Sequence, residues 1–356
     1  MLQKTARPSP PPGNPTHVED VRIGPLRPMV GLLLELGHDP SATFAAAGLD
    51  AGAFDDAERR VPFRVIVDLV RSAALATGRE DFGLLVGERF QFDDFGLLGQ
   101  LMWRAPTVGE ALQDLNRFIH LQDRGSVTYL RPAQEGIVSL GYSIFDPDTS
   151  GAGLIYDLVM AMGMRVLRGL AGPRFRVIEV WLAHGRARQL APYRRVFGAP
   201  LRFDAPRSEL HFAADWLRAP LAGADDVQHE LVQRAIRQAE AGVSSGLEGR
   251  VRAAVRALLM TGDASAARVA EALGLHERTL RRRLAGEGIG LQQVVAHERF
   301  EVACQLLQET RLGMHDIADA LGFAEASVFV RAFRGWAGCP PGQWRARGGI
   351  SRRAAP

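Results

Sequence analysis

Cysteine and lysine are almost missing from this 356-residue sequence: two Cys, at 304 and 339, and one Lys, at position 4. Two Cys in a chain of this length exclude a disulfide scaffold, and the spacing of Cys304 and Cys339 fits no metal-ligand pattern. No apolar run approaches the roughly 18 residues of a membrane span, so no transmembrane helix is expected. The opening stretch MLQKTARPSPPPGNP has no apolar core, is not read as a signal peptide, and makes the cytoplasm the expected location. Catalytic signatures are lacking too: there is no Gly-x-Ser-x-Gly elbow, Walker loop, dinucleotide fingerprint or His-Glu-x-x-His. Asp93 and Asp94 are adjacent and so point apart, and His297-Glu298 has no second His at i+4. No catalytic residue, metal or cofactor is assigned, and no enzymatic activity is expected.

What is present is globular: 47% hydrophobic and 23% charged residues, in a length that suits two domains. The net charge of +3 conceals an asymmetry. Residues 246–356 hold 16 Arg against 11 Asp and Glu, a surplus of five, which leaves residues 1–245 at −2. A basic C-terminal third on a slightly acidic body predicts one module that meets a polyanion and one that does not.

Five Pro before Thr16 mark residues 1–20 as a disordered, Pro-rich tail. Residues 21–220 read as one α+β domain. Its first part is helical, with Pro62 placed as a first-turn proline and Thr107 with Glu110 as a capping box. Strands follow at Gly125–Arg131, Gly136–Phe145, Phe175–Leu182, Leu201–Phe203 and Glu209–Phe212, with a helix over 152–169 between them. Residues 221–248 read as a connector, a polar helix followed by a Gly/Ser break. Residues 249–347 read as all helix and tight turn, and 348–356 as a tail.

The C-terminal third contains a degenerate repeat. ARVAEALGLHERTLRRRL (267–284) corresponds to HDIADALGFAEASVFVRAF (315–333). Ala270, Leu273 and Gly274 match Ala318, Leu321 and Gly322 at an offset of 48; Leu280, Arg282 and Leu284 match Phe329, Arg331 and Phe333 at 49. The register slips by one in the turn. Each copy has what a helix-turn-helix needs: a small residue where two steep helices touch (Ala270, Ala318), a glycine for φ > 0 in the turn (Gly274, Gly322), and an apolar i, i+4 edge that anchors the second helix (Leu280 with Leu284, Phe329 with Phe333). The motifs are placed at about 266–287 and 314–337. At about 100° per residue, Arg278, Arg281 and Arg282 project away from the Leu280 edge; Ser327, Arg331 and Arg334 project away from the Phe329 edge. A long helix over 291–307 joins the copies; about 15 rigid residues of it span roughly 22 Å, which suits two recognition helices one DNA turn apart.

This tandem motif, above all SVFVRAFRGWAGCPPGQWR (327–345) with ERTLRRRLAGEG (277–288), resembles the signature of the AraC/XylS family of bacterial transcription regulators. The resemblance covers about residues 249–347. It implies an α+β N-terminal effector domain plus an all-α C-terminal DNA-binding domain with two helix-turn-helix motifs joined by a long helix. By position, it carries the family's base-reading role to Arg278, Arg281 and Arg282 in the first motif, and to Ala326, Ser327 and Arg331 in the second; Arg334 joins them as a DNA-facing residue. Two positions depart from the family pattern. Ala326 has no hydrogen-bonding group, so readout there is apolar, for instance of a thymine methyl. Gly335 stands where the family usually has a basic residue. REDFGLLVGERF (79–90) and FGLLGQLMWRAPTVGEAL (95–112) resemble the effector domain of the arabinose-binding-like AraC subgroup.

The expected partners are double-stranded operator or promoter DNA, an unidentified small-molecule effector, RNA polymerase and a second copy of the chain, with no membrane. Trp103, His120, Tyr142, Tyr156, Arg117 and Arg165 are positions an effector pocket draws on, none of them assigned to it. Two other readings stay open: a constitutive regulator whose N-terminal domain only dimerises or binds a protein, and an enzyme fused to a DNA-binding domain.

Overall fold

The computed structural model describes residues 20–50, 52–144, 151–241, 246–261 and 264–351. The expected tail lies outside them except for Asp20. The chain divides into two compact units, with Ser245 the last residue of one and Gly246 opening the other.

The first unit runs β1 (Asp20–Arg22), α1 (Pro28–Glu35), α2 (Pro40–Ala46), β2 (Arg60–Pro62), α3 (Phe63–Thr77), α4 (Phe82–Glu88), α5 (Gly96–Arg104) and α6 (Val108–Phe118). It continues through β3 (Ser126–Gln134), β4 (Ile137–Ile144), α7 (Ala152–Ala171), β5 (Glu179–Trp181), α8 (Ala191–Phe197), β6 (Leu201–Arg202), β7 (Ser208–Ala213) and α9 (Asp226–Ala241). β1 and β2 pair antiparallel. The other strands form a sheet in the order β3-β4-β7-β5-β6, antiparallel except for β5 with β6.

Strand alternation gives the sheet two unlike faces. Val138, Leu140, Tyr142, Ile144, Leu210 and Phe212 turn toward one side and join the hydrophobic core around α7. The opposite side is polar. There Tyr129 lies across Gly141, its register partner, so closely that a Cβ at Gly141 would sit 2.2 Å from the ring. Beside it, Arg131 donates two 2.8 Å hydrogen bonds to the fully buried Glu209 carboxylate. The tightest helix contact is between α4 and α7. A Cβ on Gly83 or on Gly87 would lie 2.1 Å from the carbonyl oxygen of Leu154 or Leu158 respectively, so the two backbones touch.

Several sequence expectations shift. Pro62 ends β2 and stands at the N-cap of α3, one residue before the first turn. Thr107 caps α6 by accepting from the Glu110 backbone N–H at 3.2 Å, while the Glu110 carboxylate turns to the Thr107 hydroxyl, so half of the expected box forms. Only Glu179–Trp181 of the stretch Phe175–Leu182 joins the ladder, because Phe175 turns inward to pack on Phe212 and Trp216, both at 5.5 Å. The stretch 221–248 is not a free connector: α9 lies along α5, buries Ile236, and sets His229 Nε2 2.6 Å from Asp114 Oδ2.

The second unit is helical: α10 (Leu247–Thr261), α11 (Ala266–Ala272), α12 (Glu277–Gly286), α13 (Leu291–Glu309), α14 (Met314–Ala320), α15 (Ala326–Ala337) and α16 (Pro341–Ser351). The long helix α13 has 19 residues, about 28 Å at 1.5 Å per residue and longer than expected. Helix α16 runs into the stretch 348–356 that was expected to be a tail; residues 352–356 lie outside the described set.

Candidate nucleic-acid interface

Both copies of the repeat close their first helix in the same way. In α11 the Leu275 N–H donates to Ala270 O at 2.9 Å and the Gly274 N–H to Glu271 O at 2.9 Å. In α14 the Phe323 N–H donates to Ala318 O at 2.9 Å and the Gly322 N–H to Asp319 O at 3.0 Å. This is the Schellman closure, which needs a left-handed residue after the helix; Gly274 has φ +65 and Gly322 φ +71. The one-residue slip then has a physical location. Four residues, Leu273–His276, separate α11 from α12, whereas five, Leu321–Glu325, separate α14 from α15.

The anchors are where the pattern placed them. Ala270, Ala318, Leu280, Leu284, Phe329 and Phe333 are all buried. Phe333 meets Phe300 of α13 at 5.5 Å and Trp344 of α16 at 5.9 Å, and Trp336 lies 6.2 Å from Phe300. This aromatic cluster holds α15 against α13 and α16. Arg299 stacks 4.9 Å over Phe323 in the second turn, and Arg345 donates to Leu307 O and Leu312 O, which pins the link between α13 and α14.

With the anchors inward, Arg278, Arg281 and Arg282 are exposed on α12. Arg281 is held by Glu277, one turn back, at 2.7 Å. Arg278 and Arg282 have no ion-pair partner among the described residues. On α15, Ser327, Arg331 and Arg334 are exposed and Ala326 is half-buried. The Ser327 hydroxyl donates to Glu325 Oε2 at 3.0 Å, while Arg331 and Arg334 have no ion-pair partner among the described residues. Neither Glu277 nor Glu325 was picked out from sequence. The i, i+4 spacing of Glu277 and Arg281 was the available signal.

Beneath this surface lies a buried ion pair that sequence reasoning also missed. Arg256 of α10 and Glu298 of α13 are both fully buried, Nε to Oε2 2.9 Å, and Arg252 Nε reaches Glu298 Oε1 at 2.9 Å. Arg256 shares the inward side of α10 with Val251, Val255 and Leu259, an apolar stripe in which its side chain stands out. Glu298, considered above beside His297 as a catalytic possibility, is thereby a structural counter-ion. Burial pushes the His297 imidazole below its ordinary pKa.

In the first unit the positions considered for an effector pocket scatter. Tyr142 and Tyr156 are core residues 6.1 Å apart, and the Tyr142 hydroxyl donates to buried Asp123 at 2.8 Å. Trp103 is partly exposed against Phe92, and the Arg117 guanidinium stacks 5.2 Å from the Phe118 ring centroid. Arg165 lines a cleft of about 90 Å³ with Glu88, Ala161, Met164, Arg168 and Val196. Burial, together with the charges of Arg176 and Arg165, pulls Arg168 below the usual arginine range.

Comparison with known proteins decides the family. The model described as the arabinose-binding domain of AraC transcription regulator, N-terminal, matches residues 37–221, and a helix-turn-helix domain model matches 269–347. The chain belongs to the AraC family of transcription regulators. Its similarity to other AraC-family proteins extends along nearly its whole length. It is 29% identical over 328 residues to the HTH-type transcriptional regulator VirS of Mycobacterium tuberculosis, covering 90% of this chain and 95% of that one. It is 28% identical to the ornithine utilization regulator of Pseudomonas aeruginosa, over 89% and 94% of the two chains. The crystal structure of transcriptional regulator CdpR from Pseudomonas aeruginosa is 25% identical, covers 90% of this chain and 97% of that one, and gives a TM-score of 0.45. This chain is therefore an AraC-type helix-turn-helix transcription regulator with an arabinose-binding-like N-terminal domain. No helix among its described residues is long and apolar enough to cross a membrane.

Proposed function

We propose that this AraC-family regulator reads DNA with α12 and α15 in successive major grooves, and that a small-molecule effector bound in the first unit changes how it does so. The observation that carries the first part is the pair of identically closed helix-turn-helix motifs. Both bury their anchors and leave outward arginines, Arg278 with Arg282 and Arg331 with Arg334, without ion-pair partners among the described residues. Free guanidinium groups suit bidentate contacts with guanine O6 and N7, while Ser327 and Ala326 supply polar and apolar contacts beside them. Arg281, clamped by Glu277, suits a phosphate. The protein acts in the cytoplasm as a regulator rather than an enzyme, with operator DNA, RNA polymerase and a second copy of the chain as partners. The effector works by binding two states of the regulator with different affinity.

Selection of the full chain against a random-sequence duplex pool at several salt concentrations tests this. The expected result is one enriched bipartite site with half-elements about 10 bp apart. Salt-sensitive binding with no enriched sequence would reduce the second unit to a basic helical domain without readout.

A further inference from the structure

We propose that the cleft between α7, the end of α4 and α8 is a site for a small doubly charged oxyanion, a phosphate or a short dicarboxylate, held by Arg165 and Arg168. This rests on the reading above that an effector acts through the first unit, and adds where its charged group sits and what recognises it. Ala161, Met164, Arg165 and Arg168 fall at i, i+3, i+4 and i+7, so they share one face of α7. Glu88 at the end of α4 and Val196 of α8 complete the lining. The cleft holds about 90 Å³. At about 30 Å³ per water this is room for roughly three waters, the scale of a small oxyanion and too little for a drug-sized ligand.

The charges around the cleft do not balance. Glu88 is the only carboxylate among the lining residues, and Arg195 already takes it at 2.7 Å. Arg165 donates its Nε only to a neutral acceptor, Phe90 O, at 3.3 Å. The half-buried Arg168 guanidinium has no hydrogen-bond or ion-pair partner among the described residues. Arg176 bonds the carbonyls of Pro173 and Phe175, and its charge still reaches Arg168. Residues 1–245 carry a net −2, so this crowding of cations is local. It costs free energy while the cleft holds no anion, and the lowered pKa of Arg168 reports the same repulsion. Two guanidinium groups one turn apart, with donors to spare, match an anion of two charges. The apolar side chains of Ala161, Met164 and Val196 accept a short hydrocarbon stem.

Isothermal titration calorimetry of the full chain at low ionic strength tests the proposal, with inorganic phosphate and succinate as probes and acetate as the singly charged comparison. The expected result is one saturable site per chain, roughly tenfold tighter for a dianion than for acetate; the tighter of phosphate and succinate tells a phosphate source from a diacid. Arg168→Gln should weaken binding by roughly tenfold or more, and Arg168→Lys should recover only part, because an ammonium has no planar fork. Arg64→Gln, an equal loss of charge on exposed α3, should leave binding unchanged. Without anion, Arg168→Gln should raise the thermal midpoint by relieving repulsion; a lowered midpoint would mark Arg168 as a structural residue and overturn the proposal. No saturable binding, or equal weakening by Arg64→Gln, overturns the site and leaves the effector reading intact. Fluorescence anisotropy on the selected duplex at constant ionic strength tests the link between them. The bound anion should shift DNA affinity in the wild type and not in Arg168→Gln. Binding that leaves DNA affinity unchanged overturns the assignment of this cleft to the effector.

Discussion

Arg281 and Arg282 are neighbours in the chain with different surroundings. Arg281 is bonded to Glu277, whereas Arg282 projects with no such partner. Arg282→Ala is therefore expected to cost about 1–3 kcal/mol of binding to the selected site and to relax preference at one base pair, whereas Arg281→Ala should weaken all duplexes alike and lower the salt slope. Fluorescence anisotropy on matched and single-substituted duplexes distinguishes the two. Glu209 sets a second expectation. Burial alone would raise its carboxyl pKa, but hydrogen bonds from His211 and Arg131, with the charges of Arg131 and Arg207, outweigh burial and hold it at about 2. A pKa lowered on folding gives stability that is full above the unfolded value near 4.5 and is lost as pH falls toward 2. Acid titration of the full chain by circular dichroism should show the first unit losing on the order of 3 kcal/mol across that window, and Glu209→Gln should flatten the loss. The polar pair Arg131–Glu209 was illegible in sequence, since the partners are brought together only by the β3-β4-β7 order.

At the scale of elements, legibility followed how local the signal was. The two helix-turn-helix units were readable because Gly274 and Gly322, their small partners and their anchors all fall within about twenty residues and obey one helical period. α9 was read as a polar connector because its inward face is narrow, resting on His229, Val232 and Ile236, and its partner α5 lies more than a hundred residues earlier. The α4–α7 contact was hidden for the same reason. Gly83 and Gly87 lie within the stretch that resembles the effector domain, but nothing local shows that Leu154 and Leu158 sit on them. Gly87→Ala should destabilise the first unit by about 1–3 kcal/mol in urea unfolding, because its Cβ meets backbone. Gly31→Ala, in α1 with open space around it, should instead stabilise by up to about 1 kcal/mol. Between α10 and α13, Glu298→Ala removes the buried carboxylate that Arg252 and Arg256 both reach and should cost the second unit about 3–5 kcal/mol, read from its thermal unfolding.

At the scale of the molecule, the division of labour was written in the charge. The basic third coincides with the unit that carries both recognition helices, and the slightly acidic remainder with the arabinose-binding-like domain. A place for an effector was not legible, because a pocket is a tertiary property; of the aromatic residues considered for one, Tyr142 and Tyr156 serve the core and Trp103 is partly exposed. The central claim is that two recognition helices of one chain read two groove segments. Guanine methylation interference on the selected duplex tests it most directly, because Arg contacts use guanine N7. The account predicts two clusters of interfering guanines about 10 bp apart, with Arg282→Ala erasing one and Arg331→Ala the other. A single cluster, or two clusters that neither substitution changes, would contradict it.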